Sequence, residues 1–463
     1  MTKSAACIVA IAIGTCAAQA GSLRVGAARV DITPAANPTN PPTGKYEHEH
    51  LCVRAIVLDN GETRAALIGG DAGGFADNIW GPASKQIAAE LKCPVENIVM
   101  SATHSHSAGF GPPPRPGQGG QPAAPAANQP APPVVGQIVD AVRQARAKLQ
   151  PAKFGFGTGF SYLNVNRDNI DSQTHKWTQA PNLEAPSDKT VAVLKFESMV
   201  GEPIAVYVNY AMHPVNGYLS GFTSGDFPGA ASRYIEQAYG DKLVAVWTQG
   251  ASGDQNPLYL RPSTNAMASR GSLPITGNVL VREPVEARIR DGSMEPGPLD
   301  PKVRDQLERW MEAEGMLLGE EVIRVMTNTT RMDASPRIQA AQNAVSCPGR
   351  KRTNTGREGE PGVYEDAGPV SIRLGVLRIG NTALTSVNAE IYSEIGMRMK
   401  KESPVANTVM VTLANGRADS GYIPNDASFG AYTFQVLGSR LKPGCAETAI
   451  VNGLVDMIQA QSR

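Results

Sequence analysis

His104 and His106 stand in the stretch SATHSHSAG (101–109), directly after the apolar run VENIVM (95–100). In an extended backbone residues i and i+2 share a face. The two imidazoles are therefore expected to converge on one point at the carboxyl end of a strand. Neutral imidazole is a favoured ligand for zinc-like metals. The chain has only six histidines, so a pair within three residues concentrates that resource. Comparable strand ends offer His213, in NYAMHPVNG (209–217), and Glu390, in SVNAEIYSEIG (386–396). Metal-assisted hydrolysis needs about three or four protein ligands, an open position for water and a group that stabilises an oxyanion.

Other polar residues have plainer readings. His48 and His50, in KYEHEHLCVRA (45–55), approach through a polar, Pro-rich segment and read as a solvated loop. His175 and the basic run Arg350, Lys351 and Arg352 read as surface. Asp71 in GGDAGG and Asp226 in SGDFPG can orient a ligand histidine. Asp226 can equally cap a helix that starts near Pro228.

The elements that must position these groups alternate between strand and helix. LCVRAIVLD (51–59), the Asn60-Gly61 turn and ETRAALIGG (62–70) predict a hairpin. Strands are expected at 95–101, 190–197, 203–211, 243–250, 371–379 and 382–388. Helices are expected at 82–92, 134–149, 228–239, 300–327, from about Tyr392, and at 446–460. The mixture predicts an α/β fold with mixed β-sheets flanked by helices. No repeat or linker divides it, and candidate residues spread from 104 to 422, so residues 21–463 are expected to form one large catalytic domain.

Residues 1–20 read as a secretory signal: Lys3, an apolar run from Ala5 to Ile13, and Ala18-Gln19-Ala20 for cleavage. The protein is expected to be exported, periplasmic or secreted; Thr15 before Cys16 fits a lipoprotein site poorly. Without Lys3 the chain carries 42 basic and 43 acidic residues, a balance that argues against nucleic acid or an acidic membrane as the main partner. No later segment is apolar enough for long enough to span a bilayer. Cys52, Cys93, Cys347 and Cys445 allow three pairings, which stay open. GFGPPPRPGQGGQPAAPAANQPAPP (109–133) is expected to be a polyproline-like loop beginning just after His106, a surface insertion or a flap over the site.

Taken together, GAARVDITP (26–34), THSHSAG (103–109), NVNR (164–167), MHPVN (212–216), SGDFPG (224–229), GDQNP (253–257), AEIYSEIG (389–396) and NGRADSGYIP (415–424) occur in one order. In this order the chain resembles the neutral/alkaline, non-lysosomal ceramidases and their shorter bacterial relatives. The resemblance implies that His104, His213, Glu390 and Tyr422 hold one Zn2+ per chain, Tyr422 as ligand or near-ligand. It makes His106 a proton shuttle, Arg167 the clamp on the scissile carbonyl or oxyanion, and Tyr432 a further site tyrosine. Two features depart from the family. Its GDxSP segment, whose serine is implicated in catalysis, here places Gln255-Asn256 at the serine position, and Ser252 does not match. The resemblance also stops short of the immunoglobulin-like carboxy-terminal domain of full-length ceramidases.

The expected function is hydrolysis of an N-acyl amide by a metal-activated water, on a small-molecule or lipid-like substrate, without nucleic acid. Two alternatives remain: a zinc-dependent esterase or lactonase on the same scaffold, and a non-catalytic secreted metal- or ligand-binding protein. A metallo-β-lactamase-like site would continue His-x-His with Asp-His, where Ser107-Ala108 stands here.

Overall fold

Period-two alternation of apolar residues builds the sheets, and the faces it buries can be followed strand by strand. The computed structural model describes residues 21–35, 50–108, 132–174, 176–218, 223–259, 301–354 and 360–462. The signal sequence, His48, His175 and residues 109–131 of the Pro-rich segment lie outside the described residues.

The strands are β1 (Arg24–Asp31), β2 (Cys52–Asp59), β3 (Arg64–Gly70), β4 (Ile98–Ala102), β5 (Gln150–Phe160), β6 (Asn164–Ile170), β7 (Trp177–Asn182), β8 (Thr190–Ser198) and β9 (Pro203–Tyr210). They continue with β10 (Val244–Gln249), β11 (Gln255–Pro257), β12 (Ile338–Arg352), β13 (Tyr364–Ile379), β14 (Thr382–Val387), β15 (Glu390–Ile391), β16 (Asn407–Val411) and β17 (Tyr422–Ile423). The helices are α1 (Asp77–Leu91), α2 (Pro133–Ala147), α3 (Asp226–Ala238), α4 (Pro301–Asn328), α5 (Ser393–Glu402), α6 (Phe434–Gly438) and α7 (Ala446–Ala460).

Eight strands form one mixed sheet in the order β10-β9-β8-β5-β1-β2-β3-β4, and four form a second, β12-β13-β14-β16. A three-stranded sheet, β11-β6-β7, and the short pair β15-β17 complete the set. Along β8, Val191 and Val193 pack on α3 and α4, while Ala192, Leu194 and Phe196 face the opposite core. On β2, Val53, Ala55 and Val57 meet α1 and α2, and Ile56 and Leu58 turn to that same opposite core. The four-stranded sheet sends Leu384, Val409 and Val411 into it and Ala383, Val387 and Met410 toward α5 and α7. The inner faces of the two large sheets thus bury one another, and helix pairs cover their outer faces. Each large side chain so buried contributes roughly 1.5–3 kcal/mol.

Three parallel pairs, β3-β4, β9-β10 and β14-β16, are each bridged by one helix: α1, α3 and α5. These are βαβ crossovers, whose strand carboxyl ends are where α/β folds collect functional groups. Thr412, after β16, ties the third unit to the second: its N donates to Gln249 O at 2.9 Å and its Oγ1 to Gly250 O at 2.8 Å. Asn415 ties it to the first, accepting from Met100 N at 2.8 Å and donating to Ile98 O at 3.1 Å. That side chain also covers the free edge of β4.

The architecture is the expected α/β one, with mixed sheets flanked by helices, and the β2-β3 hairpin forms in the register Val53↔Gly70 to Asp59↔Arg64. Helix α1 starts five residues before the expected Pro82, because its first turns bury Trp80 in the apolar core; Pro82 lies inside the helix. Pro133, expected as the last loop residue, is instead the first residue of α2, where its missing N–H costs nothing. Strand β5 was not anticipated, because its Gly155, Gly157 and Gly159 resemble a turn; a Cβ on each would lie under 3 Å from Met332, Thr329, Val325 or Glu321, so the glycines let the end of α4 lie on the sheet. Cys347 and Cys445 form a disulfide, and Cys52 and Cys93 are free thiols. Among the described residues, no helix is long and apolar enough to cross a membrane.

Candidate active site

His104 follows β4, His213 follows β9, and Glu390 opens β15, so three crossover units each send one group to a common place. His104 does not reach it by strand alternation. Its backbone has φ 69°, in the left-handed region, so His104-Ser105-His106 is a turn and not an extended segment. A β-carbon residue held there carries strain of about 1–3 kcal/mol that the surroundings must over-determine. They do so with backbone bonds from His104 N to Ala72 O at 2.9 Å and from His106 N to Pro214 O at 3.1 Å.

Three donor atoms then form a nearly equilateral triangle. His104 Nε2 and His213 Nε2 are 3.2 Å apart, and Glu390 Oε2 lies 3.3 Å from the first and 3.4 Å from the second. The other ring nitrogens are committed: His104 Nδ1 donates to Gly73 O at 2.7 Å and His213 Nδ1 to Ser252 O at 2.7 Å. With the protons on Nδ1, both Nε2 lone pairs face inward. Burial, then the charge of Arg167, pushes the His213 imidazole down to about 3, so it is neutral near pH 7. Glu390 Oε2 has no hydrogen-bond donor among the described residues. Inward lone pairs and an anionic oxygen at this spacing repel unless a cation joins them. A tetrahedral site with bonds of about 2.0–2.1 Å has edges of about 3.3–3.4 Å, so these residues fit zinc.

His106 brings a third imidazole to the same cluster, its Nε2 3.2 Å from His104 Nε2; the ligand atoms of the three histidines lie within 4.8 Å of one another. It is the most solvent-accessible of the three. Tyr422 sits directly opposite Glu390 in the parallel β15-β17 pair. Its hydroxyl interacts with both Glu390 and Arg167, and burial first, then Glu390, raises its pKa.

Arg167, on β6, is 3 % exposed. Its Nη2 donates to Gly253 O at 2.6 Å and its Nη1 to Asn256 Oδ1 at 3.2 Å. The guanidinium lies 5.0 Å from the Phe434 ring centroid and 5.5 Å from that of Tyr422. Burial works against its charge, yet Tyr422, Asp168 and Glu390 raise its pKa. Asp168 is itself held by Trp177 Nε1 at 2.8 Å, Gln435 Nε2 at 2.9 Å and Tyr392 OH at 3.2 Å.

Several expectations end elsewhere. Tyr432 is half-buried, with φ 49° in the left-handed region, and keeps its role only as a proposal. Asp71 orients no histidine: it takes Cys52 N at 2.9 Å and Arg54 Nη1 at 3.1 Å, and backbone carbonyls take the histidine protons instead. Asp226 is the first residue of α3, after the cap Gly225, and accepts from Gly217 N at 2.8 Å, steadying the loop after His213. His50 binds Asp31 at 2.8 Å on the surface, as a solvated histidine does. Gln255 and Ser252 are used structurally: Gln255 bonds Ser187 and Ser393, and Ser252 Oγ bonds Gln249 at 2.6 Å. Sequence reasoning missed Asp168, Asp254, Asn256 and Phe434. Asp254 and Asn256 lie inside the motif GDQNP and Asp168 directly follows NVNR (164–167), which were the available signal.

Such a donor set beside a fixed guanidinium suits attack on a polarised carbonyl. The family model described as neutral/alkaline non-lysosomal ceramidase, N-terminal, matches residues 27–271, more than half of the chain. The chain belongs to the neutral/alkaline non-lysosomal ceramidase family, and by family it is an amide hydrolase. Its fold is that of a solved structure of neutral ceramidase from Pseudomonas aeruginosa, with a TM-score of 0.66 at 17% identity over 95% of this chain and 74% of that one. A ceramidase structure described as complexed with C2 also has a TM-score of 0.66, at 16% identity over 96% of this chain and 76% of that one.

Proposed function

We propose that this protein is an exported, zinc-dependent hydrolase that cleaves the N-acyl amide of a lipid-like substrate. The observation that carries the proposal is the triangle of His104 Nε2, His213 Nε2 and Glu390 Oε2, with its 3.2, 3.3 and 3.4 Å edges. His104, His213 and Glu390 would hold the metal, with Tyr422 completing or flanking the set. When bound, zinc supplies a Lewis acid for the acyl oxygen and makes water nucleophilic near neutral pH.

The chain's own residues supply the rest. Arg167 cannot lose its charge, and its donors meet the acyl oxygen as negative charge builds there. His106, open to solvent and beside His104, takes the proton from the attacking water and returns it to the departing amine. Tyr432 is kept as a further site tyrosine on its sequence position alone. The Cys347–Cys445 disulfide supports an oxidising, extracytoplasmic compartment. Residues 21–463 are read as one catalytic domain.

Metal analysis of the purified protein and of His104→Ala, with turnover of a panel of N-acyl amides and esters, tests the reading. One zinc per chain, lost in His104→Ala together with amide turnover, is the expected result. A wild type without zinc, or turnover that survives chelation, overturns it. Preference for esters would move the protein to the esterase alternative. Amino-terminal sequencing of the exported protein should begin at Gly21.

A further inference from the structure

We infer that Asn256 is a second donor to the substrate's acyl oxygen, its amide Nδ2–H acting beside Arg167; this rests on the hydrolase reading of the site. Asn256 is 1 % exposed and Arg167 is 3 % exposed. A guanidinium carries donors only, so the 3.2 Å bond from Arg167 Nη1 requires the amide oxygen of Asn256 to face it. The two Nδ2 hydrogens then point away from Arg167, and Nδ2 has no acceptor among the described residues; neither does Arg167 Nε.

Neighbouring amides behave differently. Asn164 Nδ2 donates to Asp188 O and Ala211 O while its oxygen takes Lys189. Asn166 binds Asp254 with one end and Asp168 N with the other. A buried donor left unpaired is disfavoured unless a ligand supplies the acceptor. Asn256 is also held in place to meet one. It lies on β11 opposite Val165 of β6, and Arg167, two residues further along β6 at a register shift of the β6-β7 pair, reaches its amide oxygen. The preceding carbonyl, Gln255 O, accepts from both His213 N at 3.2 Å and His213 Nδ1 at 3.1 Å. The segment carrying Asn256 is thus pinned to a metal-donor histidine on one side and to Arg167 on the other.

The chemistry needs such a donor. As the water oxygen bonds to the acyl carbon, the carbonyl π pair moves onto the acyl oxygen. It returns when the C–N bond breaks, and the amine leaves with the proton that water gave up. A donor aimed at that oxygen stabilises the charged state selectively.

Asn256→Asp keeps the oxygen for Arg167 and the side-chain shape but removes the N–H donors. Asn256→Ala removes both, and Asn256→Ser keeps a hydroxyl donor. On an N-acyl amide, kcat of Asn256→Asp and Asn256→Ala should fall by about 100- to 1,000-fold with KM little changed. Zinc content and melting temperature should stay at wild-type values, and Asn256→Ser should recover at least about tenfold over Asn256→Ala. Wild-type kcat in Asn256→Asp would mean that Asn256 only holds Arg167, and the inference fails alone. A fall in kcat that tracks zinc loss also overturns it. Zinc-loaded wild type without amide turnover refutes the hydrolase reading, and this inference with it.

Discussion

Arg167 is a charge that the fold has taken out of water, and its support comes from four directions: two oxygens in GDQNP, two aromatic rings, the Tyr422 hydroxyl and the Asp168 carboxylate. Such an arrangement costs desolvation and is retained where a fixed cation has work to do. Arg167→Ala should lower kcat/KM for an N-acyl amide by about 100-fold or more and leave zinc content unchanged; metal analysis alongside steady-state kinetics checks both. Behind it, burial raises the Asp254 carboxyl to about 7, against the pull of its Ser393 hydrogen bonds. A pKa raised above the unfolded value of about 3.9 means that the native state binds the proton more tightly. The stability Asp254 contributes is therefore complete below about pH 4 and is lost as pH rises to about 7. Urea midpoints from pH 4 to 8 should show this decline in the wild type and not in Asp254→Asn. The free thiols give a simpler expectation. Burial lifts Cys52 and Cys93 to about 11, so neither should be alkylated appreciably by iodoacetamide in the native protein at pH 8.

At the scale of elements, the site depends on very short pieces. The β15-β17 pair has two residues on each side, yet it sets Glu390 opposite Tyr422. Its outer edge meets Gly253, whose N donates to Ile391 O at 2.8 Å. A Cβ on Gly253 would stand 2.8 Å from that same oxygen and 3.0 Å from its carbon, both backbone atoms of Ile391, and 3.2 Å from the ring of Tyr392. Gly253→Ala should therefore shift the strand carrying Glu390 and the carbonyl that holds Arg167. Stability should drop by about 1–3 kcal/mol, with zinc affinity weakened as well; calorimetry with metal titration measures both. The strand ends before His104, His213 and Glu390 were legible because β-branched runs announce them. The turn at His104 was not, because a positive φ in a non-glycine residue is imposed by tertiary contacts, here those of Ala72 and Pro214.

Across the whole molecule, the large sheets share one apolar core, and three βαβ units meet with their strand carboxyl ends together. The Cys347–Cys445 bond closes a loop of 98 residues in sequence separation, tying β12 to the start of α7. Replacing both cysteines by alanine should cost roughly 2–5 kcal/mol of stability, read from denaturant unfolding, without removing His104, His213 or Glu390. From the sequence alone came the α/β class, eight of the seventeen described strands, six of the seven described helices, and the residues His104, His213, Glu390, Tyr422 and Arg167, because hydrophobic period and ordered motifs are local properties of a chain. The meeting of His104, His213 and Glu390 within 3.4 Å was decided only by the tertiary structure. So were the commitment of each Nδ1 to a backbone carbonyl, the choice among three cysteine pairings, and the unpaired amide of Asn256. These depend on groups dozens to hundreds of residues apart, whose distances packing alone fixes.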